Sequence, residues 1–248
     1  MANPDPDASN HEERRLEAVQ RYDVLDTPPD GAFDRITRLA ATLLDMPIAI
    51  VTIVDHDRIW FKARHGLDVE EIGRDPGLCA SAILGDEPWI VEDAARDPRA
   101  LANPLAAGQF GLQFYAGAPL RTQDGYNLGT LCVIDKEPRQ LGQRETQILI
   151  DLAAVVMDEL ELRLGARRAE AAVSERAALL DERQRQAVEL HDDVVQCLVL
   201  TKMALETEDA PRVAGQIDHA LESSKRILAS MAQDAPSLRR DQPGWGLS

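Results

Sequence analysis

Residues 47–65 read PIAIVTIVDHDRIWFKARH. Pro47 to Val54 is apolar on both faces and rich in β-branched residues, the pattern of a strand buried in the middle of a sheet. Asp55-His56-Asp57 is a polar turn, and Arg58 to His65 alternates into a second strand. Together they predict a hairpin, and hence a domain built around an antiparallel sheet.

Upstream, the periodicity is helical. Glu12 to Tyr22 predicts a short amphipathic helix with Leu16 and Val19 on one side. Thr27-Pro28-Pro29-Asp30 then breaks the chain, and Asp30 is placed to cap a second helix over Ala32 to Leu44. That helix carries Phe33, Ile36, Leu39, Ala40, Leu43 and Leu44 at helical spacing. Downstream, residues 66–77 read as a loop, Leu78 to Leu84 as a short helix and Trp89 to Val91 as a short strand. Arg96 to Gly108 is rich in Pro, Ala, Asn and Gly and reads as an irregular connection. Leu112 to Leu120 and Leu128 to Ile134 are two more strands, joined across Thr122 to Asn127, which contains the turn-forming Asp-Gly pair. From Leu141 the period is helical again, with Ile148, Leu152, Val155, Val156, Leu160 and Leu164 along one side. This order predicts an α+β domain with an antiparallel sheet flanked by helices.

The texture changes at Ala166. No Pro or Gly occurs from there to Asp209, and Val173, Leu180, Ala187 and Val194 recur every seven residues. That spacing predicts a long helix with a coiled-coil-like seam. Asp209-Ala210-Pro211 stops it and starts another helix, which carries Val213, Ile217, Ala220, Leu221, Ser224, Leu228 and Met231 on one face. Each helix of such a hairpin has one apolar stripe, and pairing two hairpins into a dimeric four-helix bundle covers both stripes. The expected layout is a disordered lead-in over 1–10, an α+β domain over 11–164, an all-α two-helix hairpin over 165–234 and a flexible tail over 235–248.

Composition narrows the function classes. The 248 residues carry a net charge of −16, which repels nucleic acid and anionic membrane surfaces. The three cysteines, Cys79, Cys132 and Cys197, are far apart, fit no metal-ligand spacing and sit in apolar runs, so they read as buried free thiols. The first ten residues lack the basic and apolar regions of a signal peptide, and no stretch approaches the length of a transmembrane helix. The expected location is cytoplasmic.

Several strings resemble a bacterial branch of the GAF family. They are Leu25-Asp26-Thr27-Pro28-Pro29, Phe33-Asp34-Arg35-Ile36-Thr37, Trp60-Phe61-Lys62, Phe114 to Leu120 (FYAGAPL) and Leu128 to Asp135 (LGTLCVID). The resemblance covers roughly Glu12 to Leu164. It implies a six-stranded sheet, a small-molecule pocket on one face and dimerisation through terminal helices. The ligand is not readable from it. A thioether-linked bilin would want a His beside Cys79, where Ala80 stands. His65, at a strand end, reads as solvated before it reads as a haem ligand. Trp60, Phe61 and Tyr115 read as core before pocket.

The chemistry-bearing string is Glu189-Leu190-His191-Asp192-Asp193-Val194-Val195-Gln196. On a helical wheel, Ala187, Leu190, Val194, Leu198, Thr201 and Leu205 fall within an arc of about 80°. His191 lies just outside that stripe, and Asp192 and Gln196 lie one turn apart on the same side. A neutral imidazole is a competent phosphoryl acceptor, and a neighbouring carboxylate can fix its tautomer and take its proton. Helix geometry alone leaves open a plainer reading, a surface His among acids on a coiled-coil face. The string, with Arg183 and Arg185 before it, resembles the phosphoacceptor helix of the histidine kinases that partner LuxR-type response regulators. The resemblance implies that His191 is the phosphorylated residue, Asp192 its acid/base and Gln196 the group that serves dephosphorylation. Such kinases continue into an ATP-binding domain, whereas 17 residues follow Met231 here, and Gly244-Trp245-Gly246 is not a phosphate loop.

The expectation is therefore a homodimeric GAF sensor joined to a histidine kinase-like phosphoacceptor module that cannot autophosphorylate alone. Its partners would be a LuxR-type response regulator and a histidine kinase or ATPase domain acting in trans. The alternative is a non-catalytic GAF regulator that dimerises with, or inhibits, a full-length histidine kinase.

Overall fold

The computed structural model describes residues 6–75, 77–100, 110–206, 215, 217, 218 and 221–226. Six strands run in the order β1 (Ile48–Val54), β2 (Arg58–His65), β3 (Glu71–Gly73), β4 (Trp89–Val91), β5 (Phe114–Arg121) and β6 (Asn127–Asp135). They form one sheet, β3-β2-β1-β6-β5-β4, and every neighbouring pair is antiparallel. The stretch that decided the fold holds its expected place: β1 is central, buried from end to end, and hairpinned to β2. Its other neighbour is β6, also fully buried, with Thr52 opposite Thr130. The two strands approach so closely that a Cβ on Gly129 would lie 1.8 Å from the Thr52 carbonyl oxygen.

Because side chains alternate along a strand, β1 feeds two cores. Ala49, Val51 and Ile53 pack in one; Ile48, Ile50 and Val54 pack in the other. The first core lies between the sheet and the helices α1 (Pro6–Tyr22), α2 (Gly31–Leu43) and the start of the last long helix. The second is closed by α3 (Leu78–Ala82) and the segments around it. Asp30 caps α2 as expected, its carboxylate accepting from the Ala32 N–H at 2.9 Å.

Three differences from the sequence reading have physical causes. The disordered lead-in expected over 1–10 is helical from Pro6 onward, a residue that suits a helix's first turn, and its residues 1–5 lie outside the described residues. The loop read over 66–77 contains β3, three residues paired only to Arg58, Ile59 and Trp60 and too short to show alternation. The last helix, α4 (Gln143–Glu206), buries Leu149, Ala153, Val156, Met157, Leu160 and Leu164, while Val155 is 47% exposed. The run Ile148 to Met157 is apolar nearly all round, so its period alone does not pick the buried face.

The chain divides into two units, Met1–Arg167 and Arg168–Ser248, and α4 runs through the division. In the second unit the seam residues Val173 and Leu180 are 70% and 58% exposed. Residues 221–226 are helical. The expected stop at Asp209-Ala210-Pro211 and the expected tail over 235–248 lie outside the described residues. No helix among the described residues is long and apolar enough to cross a membrane.

Candidate functional site

The string from Glu189 to Gln196 lies within unbroken helix, so the wheel geometry read from sequence holds locally. His191, Asp192 and Gln196 are all exposed, and Leu190 beside them is half-buried. The stripe meant to anchor them is open in the single chain: Val194 is 41% and Leu198 64% exposed. No hydrogen bond joins His191 to Asp192, as expected for neighbours that point about 100° apart on a helix. The carboxylate that finds a partner is the next one. The Ser223 hydroxyl donates to Asp193 Oδ2 at 2.6 Å, from 30 residues further along. Sequence reading missed this pair, because it placed Ser224 on the inner face and gave Asp193 no role. Nothing local in the sequence marks a contact of that span.

In the first unit, the second core encloses a small apolar cavity of about 60 Å³, lined by Phe61, Leu78, Cys79, Tyr115, Cys132 and Ile134 among others. It has room for a water or two, far below the several hundred Å³ of an ordinary ligand pocket. A knot of polar atoms lies against it. Thr52 and Thr130 share a 3.0 Å hydrogen bond between their hydroxyls, and the Tyr115 hydroxyl donates to Cys79 Sγ at 3.4 Å. Tyr115 folds over Gly117, where a Cβ would come within 2.3 Å of the hydroxyl oxygen. The thiols of Cys79 and Cys132 are 4.0 Å apart. Contact with Cys132 holds the Cys79 thiol low against its burial, and the same contact together with burial pushes Cys132 up. Burial also pushes Tyr115 up.

Two buried cations outside that cavity, Lys62 and Arg15, tie elements together. Lys62 is buried, yet its ammonium donates to Thr27 Oγ1 at 2.7 Å and the Pro28 carbonyl at 2.9 Å. It also sits 5.5 Å from the Phe33 ring and 5.8 Å from the Trp60 ring. Three strings quoted above, around Thr27-Pro28, Phe33 and Trp60 to Lys62, thus meet at one side chain. Arg15 does similar work for α1. It is buried, donates to the Val54 carbonyl at 2.8 Å and grips Glu12 through two 2.8 Å bonds. Arg74 reaches the same carboxylate at 2.6 Å. Burial would raise Glu12, but the two guanidinium groups outweigh it and hold the carboxyl at about 2. His65 is exposed, and no group of three or more potential metal-ligating side chains occurs among the described residues.

A family model described as GAF domain matches residues 28–164. By sequence, the chain is 42% identical over 153 residues to the cyclic di-GMP phosphodiesterase PA2567 of Pseudomonas aeruginosa. That match takes in 61% of this chain and 26% of the other, so the chain spans about a quarter of its relative's length. The fold is similar to the GAF domain of an Acinetobacter phosphoenolpyruvate-protein phosphotransferase, with 18% identity, 68% of this chain and 97% of that one covered, and a TM-score of 0.45. It is similar also to the blue-light absorbing form of the PixJ GAF domain from Thermosynechococcus elongatus, with 18% identity, 64% and 95% covered, and a TM-score of 0.48. The family match runs over the whole sheet and into α4, more than half of the sequence, and the chain belongs to the GAF domain family.

Proposed function

We propose that the chain is a two-component signalling protein in which the GAF domain is a sensor and His191 a phosphoacceptor. His191 exchanges phosphoryl groups with a response regulator of the LuxR type, and the phosphate enters from a histidine kinase or ATPase domain acting in trans, or from the regulator itself. The observation that carries this reading is the exposure of His191, Asp192 and Gln196 together on an unbroken helix. An acceptor nitrogen must be reachable by a docked partner, and it is. The unit works as a homodimer through residues 166–231. The open stripe supports that assembly, since a second copy would cover Val173, Leu180 and Val194. The Ser223–Asp193 bond supports a return of the chain alongside α4 near the motif. The relative in Pseudomonas aeruginosa, a cyclic di-GMP phosphodiesterase, supports a signalling role without fixing the output.

The test supplies a compatible ATP-binding domain in trans, adds a cognate regulator and follows phosphate on both proteins. Wild-type protein passes label to the regulator, and His191→Ala passes none. One observation favours a second reading: His191, Asp192 and Gln196 are all exposed, as residues of a plain solvated helix face are. If the motif is only a solvated helix face, the chain is a non-catalytic GAF regulator that pairs with or inhibits a full-length kinase. In that case His191→Ala changes nothing in the same assay.

A further inference from the structure

Cys79 and Cys132 belong to the second core, and the proposed phosphotransfer makes no use of their thiols. Cys132 is fixed in β6, in the middle of the sheet. Cys79 stands on α3, a five-residue helix whose capping residue, Gly77, offers no side-chain hydrogen bond. The two sulfurs lie 4.0 Å apart with no atom needed between them, and a disulfide requires about 2.05 Å. Closing the gap requires α3, a single short turn of helix, to shift toward β6. Both thiols line the cavity of about 60 Å³, room enough for a hydroperoxide. Its wall includes Val69, which is 44% exposed, so the barrier to solvent there is thin. The Tyr115 hydroxyl points at Cys79 Sγ and can stabilise a thiolate there.

We propose that Cys79 and Cys132 form a reversible dithiol–disulfide site in the GAF domain, oxidised by hydroperoxides. Cys79, as thiolate, attacks the terminal oxygen of hydrogen peroxide. An S–O bond forms, the O–O bond breaks, and hydroxide leaves and is protonated to water. The product is a sulfenic acid on Cys79, two electrons more oxidised. Cys132 sulfur then attacks the Cys79 sulfur. The S–S bond forms, the S–O bond breaks, and the departing hydroxide takes the Cys132 proton as a second water. The balance is two thiols and one peroxide giving one disulfide and two waters. The bond pins α3 to β6 and breaks the Tyr115 contact, so the oxidised domain has a tighter second core. Cys197 is outside this chemistry, in the second unit and paired locally with Thr201 at 3.8 Å.

The test treats the full chain with hydrogen peroxide, blocks free thiols under denaturing conditions and maps peptides without reductant. The expected result is one linked pair, Cys79 with Cys132, a mass lower by two hydrogens, and full return on adding dithiothreitol. Cys132→Ser should let a dimedone-type probe capture Cys79 as sulfenic acid, whereas Cys79→Ser should leave Cys132 unlabelled. Circular dichroism of each variant checks that it folds, and the wild-type map decides the question if either does not. Recovery of both residues as free thiols, or a link through Cys197 instead, would overturn the proposal.

Discussion

α4 offers two stretches of one helix with opposite fates. From Leu149 to Leu164 one face of the helix, with Leu149, Ala153, Val156, Met157, Leu160 and Leu164, is buried in the first core of its own chain. From Val173 to Leu198 the same residue types lie open. Isolated helices draw little stability from propensity, and packing of an apolar face supplies most of it. The first stretch is therefore stable at any concentration. The second depends on whatever covers its stripe. The GAF domain carries the fold; the distal helix carries the exposed candidate residues His191, Asp192 and Gln196.

That contrast is sharpened first by the motif itself. Asp192→Asn should slow phosphoryl gain at His191 by about 10²- to 10⁴-fold if Asp192 is the general base, with thermal unfolding of the GAF domain unchanged. Gln196→Ala should spare that step and reduce dephosphorylation of the regulator. A shared defect in one step for both variants would contradict the division of roles. Next comes the closed core. Phe33 is fully buried beneath the Lys62 and Arg163 cations. Phe33→Ala should cost about 3–5 kcal/mol in denaturant titration, with no dependence on protein concentration.

Leu190→Ala should do the opposite. It should leave GAF unfolding alone and weaken the dimer, by roughly 2–5 kcal/mol if the dimer buries Leu190 fully, read by light scattering across a dilution series. A monomeric mass for wild type at micromolar concentration would break the comparison outright. The smallest effect is acid. Glu12 is held at about 2 against an ordinary value of 4.5. A lowered folded pKa contributes stability that is present above the ordinary value and lost as pH falls through the folded one. Urea midpoints should therefore drop between pH 4.5 and about 2, and Glu12→Gln should flatten that drop. An equal slope in the variant would assign the acid sensitivity elsewhere.

The sheet was legible because its signals are local. β1 is apolar on both faces, Asp124-Gly125 marks the β5–β6 turn with Gly125 at φ 91°, and Asp30 precedes α2 as a cap. What escaped reading needs distant partners. Arg15 looks like a surface residue of an amphipathic helix, yet the Val54 carbonyl and Glu12 draw it inside. β3 exists because β2 offers an edge. The face of α4 was read correctly at Val156, Leu160 and Leu164 and wrongly at Val155, because the apolar run is too uniform there to choose. At the candidate site, His191, Asp192 and Gln196 were readable as positions on a helix, since their spacing needs nothing but the helical period. The Ser223–Asp193 bond was not, because it spans 30 residues. Nor was the approach of Cys79 to Cys132, 53 residues apart in sequence.

The central claim is that His191 accepts phosphate, and peptide mapping tests it most directly. The full chain is incubated with labelled ATP and a compatible ATP-binding domain in trans, then digested under alkaline conditions that preserve phosphohistidine. The expected result is acid-labile, base-stable label on the peptide that contains His191, and none on that peptide in folded His191→Ala. Equal labelling of the variant, or no label on folded wild-type protein that receives the same donor, would contradict it.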